Sequence, residues 1–373
     1  MNKWLFKLHS WLALAVFLPL LVICVTGSIL VFKHEIDGLL MPDKVRVAEV
    51  RSQRLPLDSL LARVNTRYPG HEAVGWALFR DPGRSDLVYL MERGTSDWSY
   101  TLLDQYTGDI LAPVRSTTHY LTDWLLELHF TFLLADAGLI PATVVAVVLC
   151  LLGITGLILH RKFWKNFFTL RWKSRLIVYF SDLHKMVGVI ASPILLVAGF
   201  TGAWWNVSEV LHEMEAHADG AGHYVMTGRL YNDGLSLSAL AADARSRIDG
   251  FQPTYITLPY EPGVDITFFG AVPTGNPLLS QYASSVSYDA RSGQYRGALD
   301  IREAGFGAKA LDSYRRLHFG NFAGLASRIL WCLAGLAPLL LAGTGLTLWW
   351  LRRPKRRAAK EKEKLRQRQL LAN

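Results

Sequence analysis

Four stretches of this chain, Trp11–Phe32, Leu139–Leu159, Met186–Val207 and Ile329–Leu351, contain no Asp, Glu, Lys, Arg or His. At a rise of 1.5 Å per residue, about 20 residues of helix cross roughly 30 Å of hydrocarbon. A core helix of a soluble protein keeps a polar face over such a length. The runs therefore predict an α-helical membrane protein with four transmembrane helices. The first run is too long for the apolar region of a signal peptide. It leads into Val31-Phe32-Lys33-His34-Glu35 rather than a small-residue cleavage site, so it reads as a retained helix.

Charge sets the expected topology. The formal net charge of +9 suggests nucleic acid until it is mapped. Lys3, Lys7, the stretch Arg161–Arg175 and the tail Arg352–Arg368 hold 18 of the 40 Lys and Arg against two acids, Glu361 and Glu363, and the rest of the chain is net −7. Base at both ends and in the short middle loop is the positive-inside pattern, which argues against nucleic-acid binding. It makes both termini and the middle loop cytoplasmic, with the basic tail near anionic lipid of the bilayer. The expected organisation is residues 1–32 as N-terminus and first span, 33–138 as a first exported module, and 139–160 as the second span. A basic loop at 161–183, the third span at 184–207, a second exported module at 208–328, the fourth span at 329–351 and a tail at 352–373 complete it. Trp11, Trp124, Trp204, Trp205, Trp349 and Trp350 fall near span ends, where interfacial belts sit. Cys24, Cys150 and Cys332 all lie in apolar runs without CxxC spacing, which excludes a thiolate metal site or disulfide framework.

The chain repeats itself. Leu8-His9 opens the first run and Leu183-His184 the third, and Thr26-Gly27 and Thr201-Gly202 stand near their far ends. Leu128-His129-Phe130 and Leu317-His318-Phe319 precede the second and fourth runs, which carry Thr155-Gly156-Leu157 and Thr344-Gly345-Leu346. Two spans per half make the copies parallel repeats. The long segments match too. Leu57–Tyr68 is amphipathic, apolar at Leu57, Leu60, Leu61 and Val64. Strand-like alternation follows at Ala73–Phe79, Leu87–Met91 and Ser99–Leu103, then the turn Asp104-Gln105-Tyr106-Thr107-Gly108. The second half offers a helix at Leu237–Ile248, strands at Thr254–Leu258, Asp265–Phe269 and Ser284–Tyr288, and the turn Asp289-Ala290-Arg291-Ser292-Gly293. Each is expected to be a small α+β unit.

A helix, three strands and a D-x-x-[ST]-G turn resemble the PepSY module. Two such modules between spans with Leu-His and Thr-Gly signatures resemble the PepSY-associated transmembrane family of bacterial inner-membrane proteins, over roughly residues 1–351. Within it, the likeness is to haem-containing ferric-siderophore reductases of the ferrioxamine type. That resemblance implies two b-type haems, one toward each face of the membrane, a ferric siderophore as substrate and a cytoplasmic or membrane electron donor.

The histidines are the candidate ligands. His9 and His184 occupy equivalent positions at one face, and His129 and His318 at the other. Two imidazoles on different helices suit a bis-histidine haem, in which both axial positions are filled and the iron moves electrons. The expected ligands are His9 and His184 for the cytoplasmic-side haem and His129 and His318 for the outer one, with His34 and His160 as alternates because they too stand at span ends. The glycines inside the runs serve close helix packing or contact with a flat cofactor. His212-Glu213-Met214-Glu215-Ala216-His217 is HExxxH rather than HExxH. On a helix its histidines would be about 500° apart instead of the ~400° that shares a face. Zinc protease is rejected, and the segment, with Asp219 and His223, reads as a polar loop, with a metal site or contact with a ferric chelate as the lesser alternative. No dinucleotide or Walker A sequence is present. A cofactor-free, membrane-anchored peptide-binding or protease-regulating protein is the alternative. A transporter is a further one, against which stands the absence of broken spans and intramembrane charge.

Overall fold

The computed structural model describes residues 3–162, 169–216 and 222–370, with side chains described to Arg353 in the final helix. Part of the basic loop, His217 and Asp219 lie outside the described residues. In chain order the first half forms α1 (Lys3–Ala15), α2 (Phe17–Leu30), α3 (Lys33–Leu40), α4 (Pro42–Val45), α5 (Leu57–Arg67), β1 (His71–Ala77), β2 (Asp86–Glu92), β3 (Trp98–Leu103), β4 (Ile110–Ser116), α6 (Leu121–Thr131) and α7 (Leu139–Leu159). The second half forms α8 (Leu176–Ala216), α9 (Leu237–Arg247), β5 (Gln252–Thr257), β6 (Ile266–Ala271), β7 (Ser284–Tyr288), β8 (Tyr295–Leu299), α10 (Phe306–Phe319) and α11 (Gly324–Leu370). Two compact units result. A helical unit comprises Met1–Ile29, His129–Val207 and Ile329–Asn373, and a sheet unit comprises Leu30–Leu128 and Ser208–Arg328.

In the helical unit, three helices are long and apolar enough to cross a membrane: α7 with the turn before it, α8, and the first part of α11. A fourth span exists if α1 and α2 count as one, because they are bent by 69° at Val16. Pro19 explains the break. It has no N–H for the Ala15 carbonyl, and its ring crowds that turn. The expectation of a single straight helix over Trp11–Phe32 is thus corrected, and so is the premise, used against a transporter, that no span is broken. Helix α8 is also longer than its apolar run. It takes in His212–Ala216, expected as a polar loop. Helix α6 ends before the following span. Phe132, Leu133 and Ala135 take φ of 55°, 63° and 48°, left-handed values that end a helix. Trp11, Trp124, Trp204, Trp349 and Trp350 have exposed side chains, as belt residues require.

The apolar interior of this unit draws on every span. Val16, Leu20 and Cys24 pack with Val145, Val148 and Leu149 of α7, Ala191 and Leu195 of α8, and Ala337 of α11. Glycine permits the closest approaches. A Cβ on Gly199 would lie 3.0 Å from Cys150 Sγ, one on Gly153 would lie 3.0 Å from the Leu196 side chain, and one on Gly335 would collide with Ser28.

In the sheet unit the two modules are not separate. Their strands form one eight-stranded antiparallel sheet, ordered β4-β3-β2-β1-β5-β6-β7-β8. The seam is the β1–β5 pair, with Trp76 opposite Ile256. Each module has four strands rather than the expected three, and the D-x-x-[ST]-G turn joins the third to the fourth. The turn geometry follows from its residues. Asp104 Oδ1 accepts from the N–H groups of Tyr106 and Thr107 at 2.7 and 3.1 Å, and Asp289 Oδ1 accepts from those of Arg291 and Ser292 at 3.0 and 2.7 Å. Gly108 and Gly293 then take φ of 77° and 70°, open to glycine without a Cβ clash.

Helices α5 and α9 cover one face of the sheet. Leu57, Leu60, Leu61 and Val64 of α5 and Leu237, Ala241 and Ala244 of α9 pack on Trp76, Val88, Leu90, Ile256, Phe268 and Val286. Period 3.6 on the helices meets period 2 on the strands, so each chain segment contributes one apolar side to a shared core.

Candidate functional site

The Leu-His and Thr-Gly signatures meet across helices. His9 of α1 has its Nδ1 2.8 Å from Thr155 Oγ1 of α7, and His184 of α8 has its Nδ1 2.8 Å from Thr344 Oγ1 of α11. The adjacent glycines line the imidazoles: a Cβ on Gly156 would sit 3.6 Å from His9 Cε1, and one on Gly345 would sit 3.6 Å from His184 Cε1. The two settings match although their partners are 146 and 160 residues apart in sequence.

His160 caps the end of α7 and joins this group. Its ring lies within electrostatic reach of Lys185 and His9. His184 lies within electrostatic reach of both His9 and His160. The structure therefore assembles three of the six candidate histidines in one place, the expected pair and one alternate.

At the α6 end, His129 Nδ1 is 2.9 Å from the Ile23 carbonyl and 3.1 Å from Thr26 Oγ1, both on α2. A Cβ on Gly27 would stand 2.7 Å from His129 Cε1, closer than a real side chain can approach. The first Thr-Gly thus serves a histidine as the other two do. His318 lies on α10 in the sheet unit, edge-on to Phe319 with 6.0 Å or less between ring centroids (5.9 Å).

His34 behaves differently. It belongs to the sheet unit, where Arg84 Nη1 donates to its Nδ1 at 2.6 Å and its ring stands edge-on to Phe79. Arginine has no acceptor. The Nδ1 lone pair is therefore used by the guanidinium, and a neutral His34 carries its proton on Nε2. Its alternate role as an iron ligand through Nε2 is disfavoured by that bond. The HExxxH segment brings Glu213 Oε2 to 4.0 Å from His223 Nδ1 in the sheet unit, an ion-pair distance when the imidazole is protonated.

The donor set fits a haem. Neutral imidazoles whose Nδ1 atoms are engaged elsewhere present Nε2 to iron, and glycine beside His9, His129 and His184 makes room for each ring.

The sequence comparisons agree with the architecture. The profile of the PepSY-associated TM region matches residues 6–352. The chain belongs to the PepSY-associated transmembrane family. It is also 26% identical over 251 residues to an uncharacterized protein of Pseudomonas aeruginosa, a match covering 62% of this chain and 64% of that relative. The alignment thus spans less than two thirds of the relative's length.

The threonines stand in the sequence as a Thr-Gly repeat signature, whose glycines suit helix packing or a flat cofactor. Nothing local says that a threonine on one helix serves a histidine on another. In the sheet unit both modules wall a cavity of about 640 Å³, lined by Arg54, Leu57 and Phe79 from the first and by Arg245, Gln252 and Pro253 from the second. Arg80 lines it too, and no acid is among its lining residues.

Proposed function

We propose that this PepSY-associated transmembrane protein carries electrons across the bacterial inner membrane through two b-type haems and reduces a ferric siderophore on the periplasmic side. The observation that supports the reading is the matched pair His9–Thr155 and His184–Thr344. It puts two imidazoles of different helices in the same setting, within electrostatic reach of each other. Bound haem would supply a low-spin iron that takes up and passes on one electron at a time.

The chain's own residues hold and orient. His9 and His184 are the proposed ligands at the cytoplasmic side, where Lys3, Lys7 and the basic loop put the positive charge that fixes topology. His129 and His318 are the proposed outer ligands, on the strength of the sequence repeat. The electron donor is a separate cytoplasmic or membrane component. Delivery of one electron converts the chelated Fe(III) to Fe(II). The lower charge weakens the hold of hard oxygen donors, and the metal is released. An anionic chelate would find Arg54, Arg80 and Arg245 in the cavity walled by both modules.

The test is optical. Purified protein from haem-replete cells is expected to show two b-type haems per chain by pyridine haemochromogen, with sharp low-spin bands after dithionite. A colourless protein would sink this reading and leave the cofactor-free peptide-binding anchor.

A further inference from the structure

Each Thr-Gly dipeptide that meets a histidine does so in a way that decides where the imidazole keeps its proton. A threonine hydroxyl has one proton. Thr155 Oγ1 is 2.7 Å from the Leu151 carbonyl, Thr344 Oγ1 is 2.7 Å from the Leu340 carbonyl, and Thr26 Oγ1 is 2.7 Å from the Val22 carbonyl. Carbonyls only accept, so each hydroxyl donates back into its own helix. The oxygen then has only lone pairs for the histidine. Nδ1 of His9 and of His184 must be the donor, and so must Nδ1 of His129, which also faces the Ile23 carbonyl at 2.9 Å. A neutral imidazole with its proton on Nδ1 has its lone pair on Nε2.

We propose that the Thr-Gly dipeptides at 26–27, 155–156 and 344–345 are imidazole clamps, whose threonine fixes the ligand tautomer and whose glycine makes room for the ring. The assignment rests on the haem reading above and extends it to residues that touch no iron. Thr26, Thr155 and Thr344 are positioning residues. Helix packing alone does not account for them. The packing glycines Gly153 and Gly199 approach Leu196 and Cys150, whereas the clamp glycines Gly27, Gly156 and Gly345 approach imidazole carbons. A hydrogen bond from Nδ1–H also makes the imidazole a stronger donor and favours the ferric state. Losing the bond should raise the haem's midpoint potential.

The experiment uses full-length protein in detergent, with haem counted per chain and each haem titrated spectroelectrochemically. Thr155→Val and Thr344→Val keep the volume and remove the acceptor. Each is expected to raise the potential of one and the same haem, while Thr26→Val, which leaves the Ile23 carbonyl as an acceptor for His129, shifts that of the other by less. Thr155→Ser and Thr344→Ser, which keep a hydroxyl, are expected to stay at the wild-type potentials. If a valine variant loses its haem altogether, restoration by serine supports the clamp and failure to restore overturns it. Unchanged potentials in the valine variants, or shifts of two different haems by Thr155→Val and Thr344→Val, also overturn it. A wild-type protein without haem removes the parent reading itself and with it the iron-facing role. It is thereby distinguished from a coloured wild type whose valine variants behave normally.

Discussion

His9 in the helical unit and His34 in the sheet unit stand near opposite ends of the first apolar run, yet they are held by opposite chemistry. His9 meets a threonine oxygen that can only accept, because its proton is committed to Leu151. His34 meets a guanidinium that can only donate. The same side chain is thus set as an Nε2 lone-pair donor in one unit and as an Nε2–H in the other. Both stand near a span end, and the partner of Nδ1 sets what Nε2 can offer.

The largest effect tests that contrast directly. His9→Ala and His184→Ala should each abolish one of the two haems, halving the haemochromogen yield, while His34→Ala should keep both. Loss of a haem in His34→Ala with both retained in His9→Ala would reverse the assignment.

The second compares what each unit needs in order to fold. Trp76 is fully buried at the β1–β5 seam. Trp76→Ala should cost about 3–5 kcal/mol in the sheet unit, read by denaturant unfolding followed by tryptophan fluorescence. Haem absorption that disappears at the same denaturant concentration would show that the two units unfold together.

The third compares clamps with each other. Gly27→Ala drives a methyl to within 2.7 Å of His129 Cε1, whereas the methyls of Gly156→Ala and Gly345→Ala come to 3.6 Å, an ordinary contact. Gly27→Ala should destabilise by roughly 1–3 kcal/mol and perturb its haem spectrum, and the other two should be near neutral. Equal thermal stability of all three would break the distinction.

The smallest effect lies in the pH response of the sheet unit. Asp86 is fully buried, and its Oδ1 has no hydrogen-bond partner among the described residues, while Oδ2 receives Trp76 Nε1 at 2.9 Å and an Arg54 guanidinium. Burial raises its pKa to about 6 despite Arg54. The folded form therefore holds its proton more tightly than an unfolded carboxyl near 3.9. The associated stability is fully present below about pH 4 and is lost as pH rises through 6, a change on the order of 3 kcal/mol. Asp86→Asn should flatten the dependence of melting temperature on pH across that window, and an unchanged slope would refute the assignment.

Much of this was legible beforehand. Helices α5 and α9 were readable because Leu57, Leu60, Leu61, Val64 and Leu237, Ala241, Ala244 recur at helical spacing. The inner strands were readable for the corresponding reason at period 2. Strand β8 was not, since it lies at the sheet edge with most of its side chains exposed and carries no apolar alternation. Strand β4 contains Pro113, which reads as a break. The bend in the first span had a visible cause in Pro19, hidden by the apolar run around it. The sequence also showed both halves of each clamp, Leu-His and Thr-Gly. Their pairing is a contact between residues more than a hundred positions apart, and no local pattern encodes it.

The shared sheet also constrains how the chain is made. Strand β1 finds its neighbour β5 only after the chain has left the first long segment, traversed α7 and α8 and emerged again. During synthesis the first module presents β1 as an open edge, with Trp76 lacking Ile256 opposite it. Such an edge invites pairing with other chains. The open edge is closed only when the second module is made and β5 pairs with β1.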